Sequence, residues 1–188
     1  MGMLIRAAAP TDLPGLDEID GTIVSSQYLH LDRAGEGVEL SWKLAERPLR
    51  EKRTLPNRLG DERQFLVKQI ATGRDEGIVL IADHQDVPVA MLLAQVEPAY
   101  GAIRVHDLRV DFDQRRQGLG TAMIYQVISH AREQGLRAVT CDSTTDNVPA
   151  ARFLLKCGFD ISGLDARRFT NHDLVKESVA LHWYAALD

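Results

Sequence analysis

Cysteine is almost absent from this sequence, and the two that occur, Cys141 and Cys157, form neither a disulfide framework nor a spacing that a metal would use. They read as reduced core residues and point to a reducing compartment, the cytoplasm. No apolar run is long enough to span a bilayer, and the opening MGMLIRAAAPTD has a single Arg and no hydrophobic stretch of the kind a signal peptide carries. Basic charge is also scarce: 22 Lys and Arg stand against 27 Asp and Glu, a net charge of −5, which argues against a nucleic-acid partner. No Gly/Ser/Pro-rich linker or repeat divides the 188 residues, so a single domain over 1–188 is expected. A chain of this length buries about 70% of its unfolded surface and needs no staple.

The apolar pattern places a strand at Leu4–Ala7 and a helix capped by Thr11 or Asp12 running to Ile19. Residues 21–37 give no clear period. Val38, Leu40, Trp42 and Leu44 alternate with polar residues as a half-buried strand does; Pro48 is expected to end it, and Arg47–Arg58 to be a solvated connection. Asp61–Ala71 reads as a helix with Phe65, Leu66 and Ile70 inward. Ile78–Ala82 and Val87–Val96 form a hairpin, and Ala102–Val110 is a third strand. Then come a helix over 118–134, a strand at Ala138–Cys141, a helix at Asn147–Lys156, a strand at Phe159–Ser162 and a closing strand over Val175–Tyr184. A hairpin-rich first half followed by strand–helix–strand–helix–strand implies an α/β (α+β) fold around a mixed sheet, largely antiparallel in its N-terminal half, with helices on both faces.

The chemistry concentrates in Arg115-Arg116-Gln117-Gly118-Leu119-Gly120-Thr121, directly after the third strand. The glycines allow close backbone approach, and the unpaired amides of a helix start, with its dipole, suit a pyrophosphate. Arg115 and Arg116 can add charge-assisted bonds. A second motif, Asn147-x-x-Ala150-x-x-Phe153-x-x-Lys156-x-Gly158-Phe159, is a capped helix whose Ala150 and Phe153 are expected to pack inward.

Together these motifs resemble the GNAT superfamily of N-acetyltransferases over nearly the whole chain. Shorter pieces are similar to its streptothricin acetyltransferase branch: Leu16-Asp-Glu-Ile-Asp20, Lys156-Cys-Gly-Phe159 and Val179-Ala-Leu-His-Trp-Tyr184. The resemblance implies acetyl-CoA as cofactor, no metal, a small-molecule amine as partner and an admissible homodimer. It implies a bulged third strand splayed from Ala138–Cys141, with the backbone N–H groups of Leu108 and Val110 on the pantetheine and the thioester carbonyl. Residues 115–121, with Asn147, Ala150, Phe153 and Lys156, would flank the cofactor.

Attack on a thioester needs a neutral amine and hence a proton acceptor. His106, two residues before Leu108 and so expected on its face, is the first candidate. Asp107 is expected on the other face unless a bulge re-aims it. Leu154 departs from the family pattern, which often has a tyrosine there to protonate the thiolate; Tyr125, Tyr184 or water is a substitute. Glu18, Asp20, Asp17 and Tyr28 are candidate receptors for a cationic amine. Two alternatives stay open: an acyl-CoA-binding sensor without turnover, and a protein or peptide N-acetyltransferase.

Overall fold

The computed structural model describes residues 3–187. In chain order the strands are β1 (Leu4–Ala7), β2 (Ile23–Glu36), β3 (Glu39–Leu55), β4 (Gly77–His84), β5 (Val87–Glu97), β6 (Ala102–Val110), β7 (Ala138–Thr144), β8 (Asp160–Asp165) and β9 (Ala180–Ala186). The helices are α1 (Gly60–Ala71), α2 (Leu119–Glu133) and α3 (Val148–Lys156), and Pro10–Glu18 is a 3-10 helix. The chain forms two compact units. One holds the residues through Thr22, Pro56–Cys141 and the end from Tyr184; the other holds Ile23–Leu55 and Asp142–Trp183.

In the first unit the strand order is β1-β4-β5-β6-β7. The first three pairings are antiparallel and β6–β7 is parallel, which makes the sheet mixed as expected. The β4–β5 hairpin turns on Gln85 and Asp86, both at positive φ, the geometry that matches the twist of two paired strands. Alternation along β4 and β5 then sorts the side chains. Val79, Ile81, Met91 and Leu93 pack with Leu16 of the 3-10 helix, Ile19 just after it and Val67 of α1. Leu80, Leu92, Ala82 and Ala90 are buried on the opposite face, where α2 lies against β4, β5 and β6. Met123, Val127 and Ala131, spaced four apart along α2, are fully buried there. Phe65 departs from expectation: it is 64% exposed, and Val67 takes the inward position instead.

The second unit corrects the reading of residues 21–58. Residues 23–36 form β2, and β3 runs through Arg47 to Leu55 rather than stopping at Pro48. Pro48 is tolerated because the register shifts there: Gln27 faces Pro48, while Ser25 faces Arg53. The first part of β3 is the alternating strand expected there; charged and exposed side chains concealed β2 and the rest of β3, which show no period. Trp42 is half-buried, with the Arg33 guanidinium 5.8 Å from its ring centre, rather than a core residue. The rest of this unit is ordered β7-β9-β8, and the closing strand begins at Ala180, not Val175.

Helix α3 starts on Asn147, whose side chain accepts from the Ala150 amide at 3.1 Å. Its buried row is Val148, Ala151 and Leu154; Ala150 and Phe153 are only half-buried, so the inward face is rotated from the expected one. Removing the cap with Asn147→Ala should cost about 1 kcal/mol, read as a lower urea midpoint with an unchanged slope.

Candidate active site

The site grows from an irregularity in β6. Leu93 faces Asp107 and Ala94 faces Val105, so His106 is the extra residue of a bulge. The bulge decides which side chains share a face. Asp107 stands opposite Leu93 and accepts from Arg63 Nη1 of α1 at 2.7 Å, on the side that α1 covers. The His106 Nε2 lies 3.1 Å from Gln95 Oε1, and Gln95 is two residues along β5 from Leu93, hence on that same side. Leu108 stands opposite Leu92, on the α2 side. His106 therefore shares a face with Asp107 and not with Leu108, contrary to simple alternation.

Beneath His106 the structure builds a buried charge cluster. Arg109 donates from Nε to Asp107 Oδ1 at 2.7 Å and from Nη2 to Oδ2 at 2.8 Å, and from Nη1 to the Asn57 carbonyl at 3.0 Å. The side chains of Asp107 and Arg109 are each 1% exposed, while that of Arg63 is 42% exposed. Gly21 closes the cluster, since a Cβ there would come within 3.1 Å of Asn57 and 3.3 Å of Arg109. Sequence reading passed over Asn57, Arg63 and Arg109; the available signal was Asp107 and Arg109 at alternate positions of a strand otherwise flanked by apolar residues.

The parallel ladder of β6 with β7 runs from Ala102–Ala138 to Val105–Cys141 and ends there. Leu108 and Val110 lie beyond its last pair. After β6 the chain is tied down before it opens into the glycine loop. Asp111 accepts from the Asp113 amide at 3.1 Å. Arg115 turns back to donate to the Val110 carbonyl from Nε at 2.9 Å and to the Asp20 carbonyl from Nη2 at 3.1 Å, with its guanidinium 5.2 Å from the Phe112 ring centre. Arg115 thus braces the loop; Arg116 is exposed at φ 62°.

Gly118, at φ 82°, precedes α2; a Cβ there would touch nothing within 4 Å, so the backbone angle rather than crowding asks for glycine. The first bond of the helix runs from the Ala122 amide to the Gly118 carbonyl at 2.9 Å. The amides of Leu119, Gly120 and Thr121 precede it, and the first turn holds no acidic residue. Orphan donors, a helix dipole and no competing carboxylate fit a diphosphate.

The acceptor candidates separate. Glu18 and Asp20 are exposed at the end of the 3-10 helix in the first unit. The Thr22 amide, bonded to Asp20 Oδ1 at 3.0 Å, holds the Asp20 carboxyl below its ordinary range, with Arg115 adding to the effect. Asp17 is bonded by the Gln64 amide. Tyr28 belongs to the second unit, where it lines a cavity of about 170 Å3 with His30, Thr145, Leu174 and Glu177. Its hydroxyl donates to His30 Nδ1 at 3.2 Å if that nitrogen carries the lone pair, and His30 Nε2 lies 2.9 Å from Asp32 Oδ1. Asn147, Ala150, Phe153 and Lys156 are also in the second unit, along α3, with Lys156 exposed. Leu154 is buried at 6% exposure. Of the substitute acids, Tyr184 accepts from Arg137 Nη1 at 2.7 Å and Tyr125 is exposed on α2.

Comparison with known proteins identifies the family. The sequence profile of the acetyltransferase (GNAT) family matches residues 42–159. The chain is similar to the streptothricin acetyltransferase of Streptomyces lavendulae, at 26% identity over 163 residues covering 86% of this chain and 83% of that one. It is also similar to streptothricin acetyltransferase A of Bacillus subtilis (strain 168), at 29% identity over 84 residues, 45% of this chain and 48% of that one. Among solved structures, nourseothricin acetyltransferase superposes with a TM-score of 0.79 at 20% identity over 100% of both chains. A Bacillus anthracis str. Ames protein crystallised with acetyl coenzyme A gives 0.80 at 22% identity over 100% of this chain and 99% of that one.

Proposed function

Because the chain belongs to the acetyltransferase (GNAT) family, and is an acetyl-CoA-dependent N-acetyltransferase, we propose that it transfers the acetyl group to a primary amine of a small molecule by direct attack. The observation that carries this reading is the open start of α2 behind the bulged β6, a ready seat for the diphosphate of coenzyme A. Acetyl-CoA supplies an activated acyl group; the chain binds it, orients it and manages protons around it.

Arg116, Gln117 and the amides of residues 118–121 take the diphosphate, while Arg115 holds the loop in shape. The amides of Leu108 and Val110, past the end of the β6–β7 ladder, bind the pantetheine arm and polarise the thioester carbonyl. A preorganised donor of that kind contributes about 3–4 kcal/mol to the transition state. Both cysteines are buried, which disfavours a covalent acyl-enzyme and supports direct transfer. His106 takes the proton of the attacking amine. Leu154 has no proton to give, so the thiolate, whose conjugate acid has an ordinary pKa of about 8.5, departs without help from that position.

Glu18 and Asp20 are suited by charge to a cationic acceptor, and Tyr28 with its cavity offers a second receptor. Two relatives are named for streptothricin, which makes streptothricin the first acceptor to try. Release of free thiol from acetyl-CoA should appear with streptothricin or a polyamine and not with peptide amines. Tight acetyl-CoA binding without turnover on any acceptor would hand the chain to the sensor reading, which Leu154 alone favours.

Filling the diphosphate seat gives a separate test. Gly120→Trp should weaken acetyl-CoA binding by about 100-fold, roughly 2.7 kcal/mol, by calorimetry. Unchanged affinity would remove the α2 start from the site.

A further inference from the structure

Gln95 is a half-buried amide at the end of the apolar run of β5, and both ends of its side chain are engaged. Its Nε2 donates to Asp75 Oδ2 at 2.8 Å, and its Oε1 lies 3.1 Å from His106 Nε2. Asp75 is itself held in the turn after α1: its amide donates to the Gln69 carbonyl at 3.2 Å, and its Oδ1 accepts from the Glu76 amide at 2.8 Å.

This chain of contacts has one consistent set of protons. A carboxylate only accepts, so the end of Gln95 facing Asp75 is the NH2 group, and the end facing His106 is the carbonyl oxygen. That oxygen also only accepts, so His106 Nε2 must carry a hydrogen. In the neutral imidazole the lone pair is then on Nδ1.

We infer that Asp75 and Gln95 are positioning residues that hold His106 in its Nε2–H tautomer and make Nδ1 the nitrogen that receives the proton of the amine. The inference rests on the reading of His106 as the base. Charged groups on this side include Arg104 and the Asp107–Arg109 pair of β6, Glu97 of β5 and Arg63 of α1. Arg104 stands opposite Gln95 in register, and Asp107, Arg109 and Arg63 are bonded to one another.

Long-range 1H–15N correlation spectra of the full-length protein, with His106 assigned through His106→Ala, read the tautomer directly. The wild type should show the Nε2–H pattern at pH above the imidazole titration. Gln95→Leu should give a mixture of tautomers and lower kcat about tenfold, the worth of one neutral hydrogen bond, with KM for acetyl-CoA unchanged. Asp75→Asn, at a half-buried turn outside the core, should move the same signals in the same direction should Gln95→Leu fold poorly, since an amide can present either a donor or an acceptor to Gln95. An Nδ1–H pattern in the wild type, or an Nε2–H pattern that persists in both variants, overturns the inference. Failure of the base reading looks different: the tautomer is as stated, but His106→Ala leaves the pH–rate profile where it was.

Discussion

Asp107→Ala should destabilise the protein by about 3–5 kcal/mol, the largest stability effect expected of a single substitution at this site. The side chain it removes is 1% exposed and takes both Nε and Nη2 of Arg109, itself 1% exposed. With the carboxylate gone, the Arg109 guanidinium stays buried against the Asn57 carbonyl, which satisfies a donor but not a charge. The control is Arg63→Ala. Arg63 reaches the same carboxylate at 2.7 Å, but its side chain is 42% exposed, so solvent screens the pair and the loss should be about 1 kcal/mol or less. Urea unfolding of both variants measures the contrast, and equal losses would mean that burial of the Asp107–Arg109 pair is not what makes it important.

His106→Ala should lower kcat/KM by about 100- to 10,000-fold near neutral pH, the range for loss of a positioned general base. The loss should shrink as the pH rises past the pKa of the acceptor amine, because a neutral amine needs no proton acceptor to attack. Below that pH almost every amine is protonated, and the variant lacks the group that would collect the proton. The pH–rate profile of the variant against wild type is the measurement, with acetyl-CoA binding as the control for a folded site. Profiles of the same shape and height would remove His106 from the reaction.

Much of this site was readable from neighbours in the chain. Strand β6 has the bounds expected from Ala102–Val110, and the loop before α2 has the glycine its positive φ demands at Gly118. Asn147 caps α3 as its residue type and place before an apolar run imply. The readings that failed share a cause. Strand β2 and the part of β3 beyond Arg47 are not legible in the sequence because a mostly exposed, charged ribbon shows no period there, whereas Leu40, Trp42 and Leu44 at the start of β3 do alternate. Phe65 and the pair Ala150 and Phe153 are expected inward but are not, because helical spacing identifies a stripe only to within a residue and the packing partners select which residue is covered.

What the sequence determined by itself is what short-range forces encode: where strands alternate, where helices start and stop, and where a run of amides can grip an anion. The tertiary structure alone decided which side chains meet. One extra residue in β6 inverts the alternation, so His106 turns to the α1 side, away from Leu108. That turn brings His106 to Gln95 and through it to Asp75, partners 11 and 20 positions apart in successive steps. Contacts of that range depend on strand register and on the helix that covers the sheet, and no local pattern of residues specifies either.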